Sequence, residues 1–175
     1  SNWLRPGRRY NGKVLDLQRT SLAMRLALYQ PDIPQNTGAI LRLAACLGLP
    51  VDVIEPCGFV FDDKRLRRAG MDYLDFVELR RHGSWEAYRV WHAATGGRLI
   101  LLSTAGDASY SACQFRPTDS LLLGRESAGV PDEVHTVADL RLRIPMRSGL
   151  RSLNVAMAAA IVAGEAMRQL GYPEP

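Results

Sequence analysis

From Met24 onward, short apolar runs of strand type alternate with stretches of helical period, and this alternation constrains the fold more than any single motif. RLALY (25–29), VDVIEP (51–56), DFVEL (75–79), RLILLS (98–103), SLLLG (120–124) and LRLRIP (140–145) read as strands. Helical segments fall between them: Thr37 to Leu47 behind a turn from Pro31 to Asn36, a short basic helix from Asp62 to Ala69, Ser84 to about Ala94, a short helix begun by Pro131, and Asn154 to Leu170. Such an order predicts an α/β domain with a mostly parallel sheet flanked by helices. The 175-residue chain is long enough to bury one such core. The last helix, NVAMAAAIVAGEAMRQL, is apolar on nearly every face before Gly164. A helix of that kind must be covered all round, either inside its own domain or by a second subunit.

Open α/β sheets bind ligands beyond the carboxyl ends of their strands. The segment from Asp119 to Asn154 is the strongest candidate for such a site. It holds LLLGRESAGVP, LRLRIPM and RSLN, three turns rich in Gly, Ser, Pro or Asn that each follow an expected strand. Glycine at Gly124 and Gly129 permits close approach of backbone to a ligand. Special backbone abounds there while catalytic-looking side chains are few, which points to a site that binds a reactive cofactor and positions a partner for it.

Several chemistries find no support. His82, His92 and His135 are scattered, and the three cysteines, Cys46, Cys57 and Cys113, share no metal-ligand spacing. The histidines read as surface or packing residues. There is no strand–G-x-S-x-G–helix elbow, no phosphate loop ending in Gly-Lys-Ser/Thr, and no G-x-G-x-x-G after the first strand. No apolar run approaches the roughly 20 residues that span a bilayer. A reduced, cytoplasmic protein is expected.

The net charge of +4 is unevenly placed. Residues 1–23 carry Arg5, Arg8, Arg9, Lys13 and Arg19 against Asp16 alone, and the remainder is neutral, with 17 basic and 17 acidic residues. The first 23 residues read as an N-terminal extension or an added leader, and residues 24–175 as the single domain. Nucleic-acid binding must therefore be argued from local clusters. DDKRLRRAG (62–70) sets Lys64, Arg65, Arg67 and Arg68 within about one and a half helical turns, and Arg80 and Arg81 extend the patch. Asn36 is placed to cap the first helix, with Arg42 nearly two turns further on. Spacing alone allows Arg42 an ion pair or a phosphate-binding role.

Taken together, PQNTGAILRLAACLG (34–48), IEPCGFVFDDKRLRRAGMDY (54–73), LLLGRESAGVP (121–131) and RIPMRSGLRSLNVAMAAAIVAGEAMRQLGY (143–172) resemble the SPOUT class of RNA methyltransferases, in its SpoU-like branch. The segments occur in family order and cover essentially residues 24–173. The compact length and the DDKRLRRAG segment look most like the members that methylate the wobble ribose of tRNA. The resemblance implies a C-terminal trefoil knot, which general rules of chain topology would not predict. It also implies S-adenosylmethionine as cofactor with no metal, a homodimer with the active site near the subunit interface, and 2'-O-methylation of a cytidine or modified uridine at tRNA position 34, in tRNA-Leu. A ribosomal-RNA ribose methyltransferase and a non-catalytic RNA-binding protein of the same fold are the alternatives.

Carried over by motif, Leu102, Gly124, Ile144 and Ser152, with Met146 and Leu153 beside them, match cofactor-binding positions; Arg42, Asn36, Glu126 and Asn154 match the polar catalytic set; and Lys64, Arg65, Arg67 and Arg68 are implied for RNA. Two positions depart from the family pattern. Ala156 stands where a Ser is common, and Gly164 where an aromatic is common before Glu165.

Overall fold

The computed structural model describes residues 9–10, 13–14, 24–62, 64 and 73–173. Two short strands, β1 (Arg9–Tyr10) and β2 (Lys13–Val14), pair antiparallel. The body is a sheet of seven strands: β3 (Arg25–Tyr29), β4 (Val51–Ile54), β5 (Leu79–His82), β6 (Leu99–Leu102), β7 (Ala108–Ser109), β8 (Ser120–Leu123) and β9 (Leu140–Arg143). Their spatial order is β5-β4-β3-β8-β6-β9-β7, and every pairing is parallel. The chain lays β3, β4 and β5 outward in one direction, crosses to β6, and later inserts β8 between β3 and β6.

Both faces of the sheet are covered, as a parallel sheet requires. Helices α1 (Pro34–Leu47) and α4 (Val155–Leu170) lie on one face, against Leu26, Leu28, Val51, Val53, Ile100, Leu121 and Leu123. Helices α2 (Trp85–Ala93) and α3 (Asp132–Val137) cover the other, against Ala27, Tyr29, Ile54, Leu99, Leu101 and Leu122. The two-residue alternation of strand side chains accounts for this division. Continuous apolar runs such as SLLL, buried at every position, serve both layers at once.

Three sequence expectations need correcting. DFVEL (75–79) is not a strand: Leu74–Phe76 forms a 3-10 turn and the strand follows at Leu79–His82. The apolar pair Phe76–Val77 mimicked a strand, whereas the true strand is at the sheet edge and tolerates Arg80 and Arg81. Those arginines do not extend a free basic patch. Arg80 stacks 4.8 Å from the Trp91 ring centre, and Arg81 pairs with Glu55 and donates to the Phe61 carbonyl at 3.2 Å. Helix α1 begins at Pro34, with Ile33 in the capping position and no side-chain cap, so Asn36 lies inside the helix and its amide is free for other partners. The helix expected from Asp62 to Ala69 falls largely outside the described residues. Ser84 caps α2 as expected, accepting from Ala87 N at 3.0 Å.

The α2 face hides one charged cluster. Asp52, fully buried in β4, accepts from Arg25 Nε at 2.7 Å and lies 2.8 Å from His82 Nε2. The Arg25 guanidinium also stacks on Trp91, 5.0 Å from the ring centre. Removing Asp52 strips the largely buried Arg25 guanidinium of its buried partner and leaves it the exposed Glu78, 3.2 Å from Nη1. Asp52→Ala should therefore cost about 3–5 kcal/mol in a denaturant titration. A loss within the range of ordinary surface substitutions would show that the cluster contributes little.

Candidate functional site

A cavity of about 660 Å³ opens at the carboxyl ends of β3, β8, β6 and β9, where the strand order reverses. Four connections build it. The β3–α1 turn and first turn of α1 supply Ile33 and Asn36; the end of β6 supplies Leu102, Ser103 and Thr104; the turn after β8 supplies Gly124 to Val130; and the β9–α4 connection supplies Ile144, Met146, Ser152, Leu153 and Asn154. The volume lies in the range of small-molecule sites.

The turn after β8 is closed on itself. Arg125 N donates to Gly129 O at 3.0 Å and Gly129 N to Arg125 O at 2.9 Å. Gly129 has φ of 61°, and a Cβ on Gly124 would stand 2.9 Å from the Gly129 Cα and carbonyl carbon. Two glycines at this spacing let the strands of the turn touch and leave backbone facing the cavity.

One chain of hydrogen bonds joins three of the four connections. Asp32 N donates to Glu126 Oε2 at 3.1 Å, Glu126 N donates to Asp32 Oδ1 at 3.2 Å, and Ser127 Oγ donates to Asp32 Oδ2. Asn36 Nδ2 donates to Glu126 Oε1 at 3.4 Å, and Asn154 Nδ2 donates to Asn36 Oδ1 at 2.9 Å. Asn154 Oδ1 in turn accepts from Ala156 N at 2.9 Å and Met157 N at 3.4 Å, capping α4. The Glu126 carboxyl is pushed up from its ordinary value, first by burial and then by its contact with Asp32. Asp32 is held below the carboxylate range, chiefly by its hydrogen bond with Glu126 and also by Ser127.

Nine of the sequence-selected residues thus meet around one cavity: Asn36, Leu102, Gly124, Glu126, Ile144, Met146, Ser152, Leu153 and Asn154. Arg42 is not among them. It is exposed on α1, its guanidinium 4.9 Å from the centre of the Tyr73 ring. Lys64 is exposed, whereas Arg65, Arg67 and Arg68 lie outside the described residues. His135, read from sequence as a surface or packing residue, lines the cavity with its Nε2 3.5 Å from Ser103 Oγ. Asp32 was also missed. Its only sequence signal is an acid inside a proline-bounded turn, and its partner lies 94 residues away. Of the two departures, Ala156 is buried and keeps the backbone bond to Asn154, while Tyr172 O–H donates to the Gly164 carbonyl at 3.2 Å, so an aromatic from further along the chain reaches the Gly164 position.

The chain belongs to the SpoU rRNA Methylase family, whose model matches residues 23–164. It is 61% identical over 146 residues to a tRNA (cytidine(34)-2'-O)-methyltransferase of Beijerinckia indica, covering 83% of this chain and 91% of that protein. A solved structure concerned with 2-OH methylation of C/U34 on tRNA superposes with a TM-score of 0.79 at 44% identity, covering 85% of this chain and 96% of that one. The SpoU methyltransferase AviRb of Streptomyces viridochromogenes, solved in complex with AdoMet, gives a TM-score of 0.78 at 28% identity over 88% of this chain and 63% of that one.

The double use of Asn154 can be separated by substitution. Asn154→Ala removes both the helix cap and the bond to Asn36 and should cost about 1 kcal/mol or more of stability. Asn154→Asp keeps a capping oxygen and should recover most of that loss in the same denaturation experiment. Equal losses in both variants would place the stabilisation in the Asn36 contact instead.

Proposed function

We propose that the chain transfers a methyl group from S-adenosylmethionine to the 2'-hydroxyl of the wobble ribose of tRNA, on a cytidine or modified uridine of tRNA-Leu. One observation carries the reading: Asn36, Glu126 and Asn154 are hydrogen-bonded to one another in the wall of the cavity that Leu102, Gly124, Ile144, Met146, Ser152 and Leu153 also line. Apolar side chains and exposed turn backbone fit a nucleoside-sized cofactor. Gly124 strengthens the fit, since its missing Cβ is what lets the turn close against Gly129. Leu102, Gly124, Ile144, Met146, Ser152 and Leu153 would hold the cofactor, and its sulfonium supplies an already activated methyl group.

The chain's own residues supply alignment. Glu126, Asn36 and Asn154 fix the polar side of the cavity. Arg42 offers donors and no acceptor, so it does not take up the hydroxyl proton. Its fork of donors suits a phosphate beside the reacting ribose, orienting the hydroxyl and leaving a phosphate oxygen to accept its proton. Arg42→Ala should then lower methyl transfer to tRNA by about a hundredfold or more. Cofactor affinity, measured by calorimetry, should stay nearly unchanged. A matching loss of cofactor binding would contradict this role.

Arg42 lies outside the cavity of its own chain, and the reading places it at a site shared with a second copy. Helices α1 and α4 pack together, and each turns a face outward. On α4 that face carries Met157 and Ile161, 61% and 38% exposed, and Leu153, 41% exposed, lies just before the helix. An apolar stripe of this kind, beside the cavity mouth, supports a homodimer. Met157→Glu should convert the chain to a monomer in sedimentation velocity and reduce methyl transfer with it. A dimer unaffected by this change would move the interface elsewhere.

The cation run Lys64, Arg65, Arg67 and Arg68 belongs to the same reading as the RNA phosphate contact. Neutralising the three arginines should weaken tRNA binding and flatten its salt dependence by up to about three units of slope. The trefoil knot belongs to it as well, supported by the return of the chain through the β9–α4 connection to pack α4 beside α1. Residues 24–175 act as one domain in the cytoplasm, without a metal. Incubating the purified chain with labelled S-adenosylmethionine and tRNA from a strain lacking the wobble methylation, then mapping the modified nucleotide, tests the whole reading. Label appearing in ribosomal RNA or in another tRNA nucleotide would redirect it.

A further inference from the structure

Asp32 has no assigned part in the chemistry, yet both oxygens of its side chain are engaged beside the cavity wall. Both carboxylate oxygens accept from the turn after β8, Oδ1 from Glu126 N at 3.2 Å and Oδ2 from Ser127 Oγ. Its own N–H returns a bond of 3.1 Å to Glu126 Oε2. The residue is also backed from behind. Gly58 N donates to the Pro31 carbonyl at 2.9 Å, and a Cβ on Gly58 would lie 2.5 Å from the Asp32 Cβ and 2.8 Å from its Cα. The β4 connection therefore presses on Asp32 through a position that has room only for glycine.

We infer that Asp32 is a positioning residue that clamps the 124–129 turn and keeps the proton of the carboxyl pair on Glu126, an inference that rests on the reading of Glu126 as part of the methyl-transfer site. Two carboxyls held this close do not both ionise readily, because like charges disfavour each other. Each carboxyl accepts two donors, so their placement, with Glu126 in the cavity wall, decides which one stays charged. Asp32 receives an N–H and an O–H on its two oxygens, and each stabilises its anion. Glu126 is the partner in the cavity wall, where burial disfavours charge. The directions agree, with Asp32 held low and Glu126 pushed up.

The other groups around Glu126 do not reverse this order. The Asp32 N–H reaches Oε2 at 3.1 Å and Asn36 adds one long amide bond of 3.4 Å to Oε1, matching the two donors on Asp32 in number. The Cys57 thiol is pushed up to about 11, first by burial, so it is neutral near pH 7. Arg125, the next residue along the turn, carries its guanidinium over the Tyr29 ring at 5.5 Å. His135 pairs with Ser103 on another wall of the cavity. A carboxyl that keeps its proton is a hydrogen-bond donor, and one that has lost it only accepts. Asp32 thereby sets what Glu126 presents to the cavity as well as where it points.

The test uses the full chain with isotope-labelled glutamate carboxyls, titrated by NMR without RNA, with Glu126→Gln to assign the signal. In Asp32→Asn, which keeps the size and removes the charge, the Glu126 midpoint should fall by about one pH unit. Single-turnover methyl transfer should fall roughly tenfold or more in the same variant, and its pH profile should move with the midpoint. An unmoved Glu126 midpoint overturns the inference, even if stability or activity declines, since that pattern describes a purely structural residue. Should Asp32→Asn not fold, the exposed Ser127→Ala carries the test with labelled aspartate. Losing one donor should raise the Asp32 midpoint, and an unchanged one overturns the inference. If the wild-type chain methylates a nucleotide other than the wobble one, the functional reading fails while the carboxyl titration still decides the role of Asp32.

Discussion

The Asn36 side chain joins pieces of chain that sequence keeps far apart. Its amide nitrogen reaches Glu126 and its amide oxygen takes the Asn154 side chain, which in turn caps the last helix. An amide suits this place because it is donor and acceptor at once, which neither a carboxylate nor an ammonium is. The bridge depends on α1 starting at Pro34. Proline fixes the first turn without needing its own N–H, so Asn36 is not consumed as a cap. The turn after β8 and the start of α4 are thereby held to a common reference on α1.

The surrounding fold makes such a bridge geometrically dependable. β3 and β8 are adjacent and parallel, with Arg25 opposite Ser120 and Leu28 opposite Leu123, so their carboxyl ends deliver the two turns side by side. Strand registers set where each turn emerges, and helices on both faces prevent the strands from shifting. The charged cluster of Asp52, Arg25 and His82 serves the same end from the opposite face, tying β3, β4 and β5 beneath α2.

Much of this was legible in the sequence because hydrophobic pattern is a local signal. Runs such as RLALY and SLLL carry their strand character in their own residues, and their positions were read correctly. The two-residue strand β7 has too little pattern to announce itself, and DFVEL carried apolar residues that belong to a turn. The site was legible in a different way. Gly124, Glu126, Asn154 and the residues near them were found through ordered motifs, and their convergence follows from a topology that no single segment contains. Arg42 matched its motif equally well but faces away from the cavity, since helical spacing tells which residues share a face and not what that face meets. Asp32 went unnoticed for a related reason: its importance lies in a turn contributed from the other half of the chain.

The cavity draws on residues from Ile33 to Ala158, and its wall is complete only when the β9–α4 connection is in place. A chain folding from its amino end can pair β3 with β4 early, yet it has no receptor for a ligand until β8 has slid between β3 and β6. A ligand that binds there holds, by mass action, the molecules in which all four connections are in place.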